Sequence, residues 1–397
     1  MPNAVIVDAV RTASGRGKHG GALAMMHPVD LLGTVLRSLV ERVGLDPALL
    51  DDVIGGCLSQ VGEQAVNITR NAVLAAGFPV SVPGTTVDRQ CGSSQQAVAF
   101  AAQGVLAGVY DVVIACGVEQ MSRNPINAAT LGRDQWGPMV RERFPEGLVH
   151  QGISAELIAA RWNLDREALD EFSARSHRLA CEATTRGAFA REILPIEVTD
   201  AEGATRVHDV DETMRPGTTV ERLGALHPAF RDEELGRRFP EIDWRITAGN
   251  SSPYTDGASA VLIASEAAAE RLGLTPRARF VDFAVVGSDP IEMLTGILPA
   301  TRKILDRSRL GIDDFDAVEV NEAFAPVPLA WQREFDADPE RINPRGGAIA
   351  LGHALGSSGT RLLTTLVSEL EDSRGRYGLQ LMCEGAGMAN ATIIERI

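Results

Sequence analysis

The chain has 397 residues, is 45% hydrophobic and 23% charged, and carries a formal net charge of −15. At about 150 residues per domain this length holds two to three domains, and a chain of this size builds a core that needs no disulfides. The acidic balance argues against a nucleic-acid binder, which would present a basic face, but leaves room for a small phosphorylated ligand held by a few local Lys or Arg.

The N-terminus MPNAVIVDAVRT has no basic segment followed by a long apolar run, so it does not read as a secretory signal. AVIVDAV (4–10) reads as a strand; Leu31, Leu32, Val35, Leu36, Leu39 and Val40 then fall at helical spacing within 29–43. DDVIGGCLSQ follows as a strand, 63–76 as a helix, GTTVDRQ as a strand, 95–107 as a helix and DVVIACGV (111–118) as a strand. Such alternation predicts a mainly parallel sheet covered by helices. The most apolar stretch, 97–118, is broken by Gln103, Gly104, Gly108 and Asp111, so it is a buried helix and strand rather than a membrane span.

Residues 119–247 change character, with many charges and long loops, and read as an insertion set on the α/β body. Two helices are expected there, near 152–162 and 165–187, with Asp165 as N-cap of the second, and GRRFPEIDWR reads as irregular. Alternation returns after 247: a strand at 278–287, a helix at 299–310, FDAVEVNEAF as a strand into a loop, helices at 323–335 and 358–372, and two closing strands. The halves echo each other. Val7-Asp8 matches Val281-Asp282, LLDDVIGG matches IDDFDAVEV, and CGSS–helix–strand–Cys116 matches GSSG–helix–strand–Cys383. A duplicated α/β unit packed face to face brings matching loops into one central site.

The five cysteines, Cys57, Cys91, Cys116, Cys181 and Cys383, are scattered and contain no CxxC pair; they read as reduced thiols in the cytoplasm. With no HxxxH or HExxH pairing either, no metal site is expected. His19, His27, His177 and His208 have no motif around them and read as surface or packing residues. Cys91 stands between a strand and a helix, in TTVDRQCGSSQQAVAF. A helix N-terminus favours a thiolate there, which makes a nucleophile; an inert buried thiol is the other reading. His353 lies in the glycine-dense NPRGGAIALGHALGSSG, where it can serve as a general base, as a structural His in a turn, or beside a phosphate-cradling loop, though neither GxxxxGK[ST] nor GxGxxG is present. Cys383 ends an apolar strand at the glycine-rich CEGAG turn. Asn321 and Glu322 follow the strand of VEVNEAFAP, at a strand edge where α/β sites collect or as a helix N-cap.

Together these four segments, with GVEQMS (117–122) and TAGNSSPYTDGASAVL (247–262), resemble the thiolase family over essentially the whole chain and in the family's order. The similarity is greatest to bacterial degradative 3-ketoacyl-CoA thiolases. The resemblance implies an α/β fold of two duplicated βαβαβαββ halves, each with a five-stranded sheet, forming a five-layer α-β-α-β-α body. It implies an N-terminal domain over 1–268 containing the inserted loop domain (about 119–247), a C-terminal domain over 274–397, and a homodimer or homotetramer. It also implies thiolytic cleavage of a 3-ketoacyl-CoA, with coenzyme A as co-substrate and no permanently bound cofactor. On this resemblance Cys91 takes the acyl group, His353 accepts its proton, Cys383 protonates the acetyl-CoA enolate, and Asn321 holds a water on the enolate oxygen. The backbone N–H groups of Cys91 and Gly385 would hold the second oxyanion, and Ser252, Ala248, His150, Phe324 and, near the nucleotide, His227 would contact CoA and the acyl chain.

Three positions depart from the family's pattern: Ala354 replaces the Pro after the histidine, Cys383-Glu384-Gly385-Ala386-Gly387 replaces Cys-x-Gly-Gly-Gly, and Gln151 replaces a Met. Three other readings compete. A decarboxylating ketoacyl synthase carries His or Asn where this chain has Cys383. A Cys-His-Asn hydrolase orders its residues differently. A non-catalytic acyl-CoA-binding scaffold would not need all three reactive side chains. Within the family, biosynthetic condensation of two acetyl-CoA is the alternative direction.

Overall fold

The computed structural model describes residues 3–200 and 203–397. In chain order the first half contributes β1 (Ala4–Thr12), α1 (Pro28–Val43), β2 (Asp52–Gly56), α2 (Ile68–Ala75), β3 (Thr85–Val87), α3 (Ser93–Leu106) and β4 (Val112–Gln120). The insertion carries α4 (Gln151–Arg161) and α5 (Arg166–Thr185), and β5 (Thr255–Ser265) closes the half. The second half contributes β6 (Ala278–Gly287), α6 (Ile297–Ser308), β7 (Ala317–Val320), α7 (Pro326–Phe335), α8 (Ser358–Ser373), β8 (Tyr377–Glu384) and β9 (Met388–Arg396).

The strands run in the order β7-β8-β9-β6-β1-β5-β4-β2-β3. Pairing is mixed, not mainly parallel as the alternation suggested. β2 pairs β3 and β4 in parallel and β7 pairs β8 in parallel, but β5 runs antiparallel to both β1 and β4, and β9 antiparallel to β6 and β8. The cause is β5 and β9, which return as the last strand of each half next to the first. β5 itself, TDGASAVLIAS, carries no strand signature in the sequence: it is built mostly of small residues, buried along its whole length, and so shows no alternation. In the insertion, part of the segment read as irregular forms a short helix, Glu233–Arg238.

Each half follows the same path in space, third–second–fourth–fifth–first strand. In the second half the third strand shrinks to one bridge, Val318 to Ile342, so that half has four strands plus a bridge rather than five. The duplication extends to individual atoms. β1 runs on through Val7-Asp8 with a bulge between Ile6 and Asp8, and β6 has its bulge between Phe280 and Asp282. Arg42 Nε of α1 donates to Asp8 at 3.0 Å, and Arg307 Nε of α6 donates to Asp282 at 2.9 Å. Asp51 accepts the N–H groups of Asp111 and Val112, as Asp316 accepts those of Arg376 and Tyr377. The repeated Val-Asp therefore marks the extra residue that lets the strand bend and twist while the Asp anchors the covering helix.

Three apolar layers separate the sheets and helices. α1 packs Leu31, Leu32, Val35 and Leu36 on the outer face of the first half-sheet with Val5, Ile114 and Leu262. α3 and α8 lie between the half-sheets, where Ala97, Ala101, Leu363 and Leu366 meet Ile6, Val113, Phe280 and Ile394. α6 and α7 cover the far face with Ile297, Ile304 and Trp331 against Leu379, Leu381 and Ile393. The order is α-β-α-β-α. The two central helices approach closely: a Cβ on Gly359 would stand 2.1 Å from the Gln95 nitrogen, and Thr360 N–H donates to Ser94 Oγ at 3.1 Å. That approach sets the N-termini of α3 and α8, which follow Cys91 and His353, side by side.

Among the described residues no helix is long and apolar enough to cross a membrane. The expected cap of α5 is present: Asp165 accepts the Ala168 N–H at 2.9 Å. Asp165→Ala should lower stability by about 1 kcal/mol, read as a lower thermal midpoint with steady-state activity unchanged; an unmoved midpoint would show that the cap contributes nothing.

Candidate active site

Cys91 sits in a tight turn between β3 and α3. Asp88 accepts the Gln90 N–H at 2.7 Å, Gly92 N–H donates to Arg89 O at 3.0 Å, and Gln90 is left-handed at φ 51°. A glutamine in that region costs on the order of 1–3 kcal/mol, a strain that clusters at functional sites. The turn is braced by the Cys383 segment. Glu384 presses on Gly92 so closely that a Cβ there would lie 1.8 Å from its carboxylate oxygen, and Gly385 faces the Gln90 side chain. The two cysteine segments therefore meet, although 292 positions separate Cys91 and Cys383 in the sequence (383 − 91).

Both thiols are buried, and this corrects one expectation. Burial pushes Cys91 well above the ordinary thiol range, reinforced by Cys383, Glu384 and Glu119, so it rests as a thiol rather than as a thiolate stabilised by the helix N-terminus. Two of the N–H groups that would stabilise a thiolate, those of Gly92 and Ser93, are already spent on Arg89 O and Gln90 O. Cys383 is pushed up to about 12 by burial and the neighbouring Glu384. Nucleophilic attack by Cys91 therefore requires a base.

His353 stands on the loop that leads into α8, next to the α3 N-terminus. Its backbone N–H donates to Thr255 Oγ1 of β5 at 2.9 Å, and its Nδ1 lies 2.6 Å from Ser358 Oγ at the start of α8. Ser358 Oγ also lies 2.9 Å from Ala354 O, and with its one proton on that carbonyl Oγ accepts from Nδ1–H, the tautomer that the donor-only Asn321 Nδ2 facing Nε2 requires. That places the lone pair on Nε2, which faces Asn321 Nδ2 at 3.4 Å. Burial and the charge of Arg361 hold His353 far below the usual imidazole range, at about 3, so the ring is neutral. Asn321 follows β7 with its backbone N–H on Leu381 O at 3.0 Å, two residues from Cys383, and its Oδ1 is buried without a partner among the described residues. A bound water would satisfy that acceptor. Asn321 is no N-cap, because α7 starts only at Pro326.

Two carboxylates brace these loops. Glu119, at the end of β4, accepts the N–H groups of Leu58, Ser59 and Gly356 and the Gln64 amide, fixing the His353 loop against β2. Glu322 accepts from Ser176, Asn343 and Ile349, fixing the segment after Asn321 against α5. Their role was not legible in the sequence, since every partner of Glu119 lies far along the chain.

An open cleft of about 250 Å³ lies alongside, lined by Ala248, Gly249 and Ser251 and, from the insertion, His177, Arg215 and Arg222. Its wall is tied to the Asn321 segment by Ser252 N–H to Ala323 O and Ala325 N–H to Asn250 O, both 3.0 Å. Phe324 is buried and stacks edge-on with Phe230 at 5.9 Å, and Phe230 packs on the exposed His150 at 5.3 Å. Ser252 backs this wall and His227 is exposed outside the lining. Arg215 and Arg222 carry no motif in the sequence; they are two among the many arginines of the insertion, and only the fold brings them to the cleft. Among the described residues no cluster suited to a metal ion occurs.

Comparison with known proteins agrees with this arrangement. Residues 4–267 match the thiolase N-terminal domain and residues 274–396 the thiolase C-terminal domain. The chain is 48% identical to the steroid 3-ketoacyl-CoA thiolase FadA6 of Mycobacterium tuberculosis, covering 100% of this chain and 95% of the relative. It is 42% identical to the 3-ketoacyl-CoA thiolase of Photobacterium profundum over all of both chains. The crystal structure of the Bacillus anthracis acetyl-CoA acetyltransferase superposes with a TM-score of 0.89 at 38% identity, covering 100% of this chain and 99% of that one. The chain belongs to the thiolase family.

Proposed function

We propose that this enzyme cleaves 3-ketoacyl-CoA with CoA in the degradative direction, giving acetyl-CoA and an acyl-CoA two carbons shorter. The observation that supports it most is the meeting of the Cys91 and Cys383 segments beside a neutral His353 whose lone pair is on Nε2. His353 Nε2 takes the Cys91 proton as Sγ attacks the 3-keto carbon. The C2–C3 bond then breaks, leaving the acyl group on Sγ and its electron pair on the acetyl-CoA enolate. The enolate oxygen takes hydrogen bonds from the protonated His353 and from a water on Asn321, and Cys383 protonates the enolate carbon. In the second half CoA thiol gives its proton to the Cys383 thiolate and attacks the thioester, whose oxyanion is held by the N–H groups of Cys91 and Gly385; its collapse breaks the C–Sγ bond, releases the shortened acyl-CoA, and Cys91 takes back the proton from His353.

The cleft carries CoA along Ala248 and Ser252, with His150 and Phe324 toward the acyl end and Arg215 and Arg222 near its phosphates; a guanidinium recognises phosphate through paired N–H donors. Three-residue β3 forms the open edge of the first half-sheet, an edge that pairing with a second copy would cover. Assembly as a homodimer or homotetramer in the cytoplasm, without a permanently bound cofactor, belongs to the same reading.

The test is a panel of 3-ketoacyl-CoA esters, short, long and ring-bearing, assayed with CoA for loss of the magnesium-enolate absorbance. The relative named for steroids leads us to expect the ring-bearing esters to turn over with the highest kcat/KM. Turnover confined to acetoacetyl-CoA would favour the biosynthetic direction, and none on any ester would refute thiolysis.

A further inference from the structure

Behind His353 lies a small cavity lined by Thr12, Ser14, Gly352, Ala354, Ser357 and Ser358, with Arg361 as its one charged wall. It has room for about one water molecule. Arg361 sits on α8 three residues after Ser358, on the same helix face. It is 6% exposed, yet its Nε and Nη1 have no hydrogen-bond partner among the described residues. A buried guanidinium without partners is costly unless something fills the gap. The hydroxyls beside it decide what can. Ser358 spends its proton on Ala354 O and Ser14 spends its own on Leu351 O. The oxygens of Ser358 and Ser14 can therefore only accept from the cavity, while Thr12 Oγ1, which accepts the Ala258 N–H, keeps its own proton. An occupant of this size must accept from Arg361 and donate to Ser358 and Ser14, and a single water does both.

We propose that Arg361 is a positioning residue for His353, acting through one buried water that joins its guanidinium to Ser358. The water completes the chain Arg361–water–Ser358–Nδ1, which fixes the tautomer with its lone pair on Nε2, and the guanidinium keeps the imidazole uncharged until it takes the nucleophile's proton. The other charged groups facing this chain are Glu319 at the end of β7, Arg11 of β1, and Asp211 and Glu192 of the insertion. Arg11 is paired with Asp211 at 2.7 Å and with Glu192 at 2.9 Å. Glu319 has both carboxylate oxygens unpartnered among the described residues and is held near 8 by burial, so it is neutral where His353 titrates. Asp256 is raised by burial to about 6, but its Oδ1 is held by the Ser122 N–H away from the cavity.

This inference rests on the proposed role of His353 as the base, and its test keeps the two separable. The acid limb of kcat/KM, and the pH dependence of Cys91 alkylation by iodoacetamide, which needs no substrate, are compared in wild type, Arg361→Met, Arg361→Lys and Glu319→Gln. The limb should move to higher pH by about one unit or more in Arg361→Met and stay in place in Arg361→Lys, which keeps the charge, with kcat lowered. Glu319→Gln should leave it in place, because that carboxyl is already neutral there. Equal shifts in the Met and Gln variants would mean general damage to the buried network and would overturn the proposal, as would an unmoved limb in the Met variant. If Arg361→Met does not fold, a shifted limb in Arg361→Lys overturns it alone. Crystals soaked in bromide should show no anomalous peak in the cavity; a peak beside Arg361 would replace the water with an anion. Wild type inactive on every ester, yet showing these alkylation shifts, would reject thiolysis and leave the positioning intact.

Discussion

Cys91→Ala should lower thiolysis by at least about 10³-fold and abolish the acyl-enzyme seen by mass spectrometry after mixing with substrate in the absence of CoA. The argument is spatial and electronic. The Cys91 turn is over-determined by Asp88, by the left-handed Gln90 and by the Glu384 side chain packed on Gly92, so the replacement leaves its surroundings in place. The sulfur packs with Met121, Leu355, Leu362 and Met382, and losing one buried atom costs only about 1 kcal/mol, so the variant should fold and bind CoA. What it loses is the only group in that turn able to form the thioester. Neither water nor the buried Ser93 and Ser94 replaces it, because Ser93 Oγ is engaged with Gln90 O and Ser94 Oγ accepts from Thr360 N–H. Full activity in Cys91→Ala would reject the acyl-cysteine scheme.

The same turn shows what the sequence could and could not reveal. Its position was legible, because a strand, then Cys-Gly-Ser-Ser, then a helix-like run leaves the thiol nowhere else to go. Its acidity was not, because that depends first on burial in the fold and then on the charges of Cys383, Glu384 and Glu119, which lie elsewhere in the chain. The Val-Asp echo was legible as a repeat but not as a bulge, since a bulge is a relation between two strands and only one of them was in view. β5 was missed because a strand buried on both faces loses the period that marks a strand, and with it went the antiparallel pairings. The tautomer of His353 depends on Ser358, five residues on, and on the single proton of that serine; the glycine-rich loop announced the histidine but not which nitrogen was free.

Cys383→Ser separates the two sulfurs. Acylation of Cys91 should persist at a reduced rate, while exchange of the acetyl-CoA methyl protons with solvent deuterium should fall by about 10²–10⁴-fold. Cys383 sits at about 12, held up by burial and by Glu384, between the weakly acidic methyl group and the carboxylates. That value suits a group that must both give a proton to an enolate carbon and take one back. A serine hydroxyl in the same pocket is a far weaker acid and cannot be deprotonated in an apolar enclosure, so the exchange stops although the nucleophile is intact. Packing is the competing cause, because Cys383 belongs to the apolar layer with Val320, Phe324, Leu381 and Ala389, and a buried unpaired hydroxyl costs about 1–3 kcal/mol. Cys116→Ser controls for it: that thiol is equally buried but lies in the layer beneath α1. It should lower the thermal midpoint comparably and leave exchange untouched. Exchange unchanged in Cys383→Ser, or lost equally in Cys116→Ser, would remove Cys383 from proton transfer.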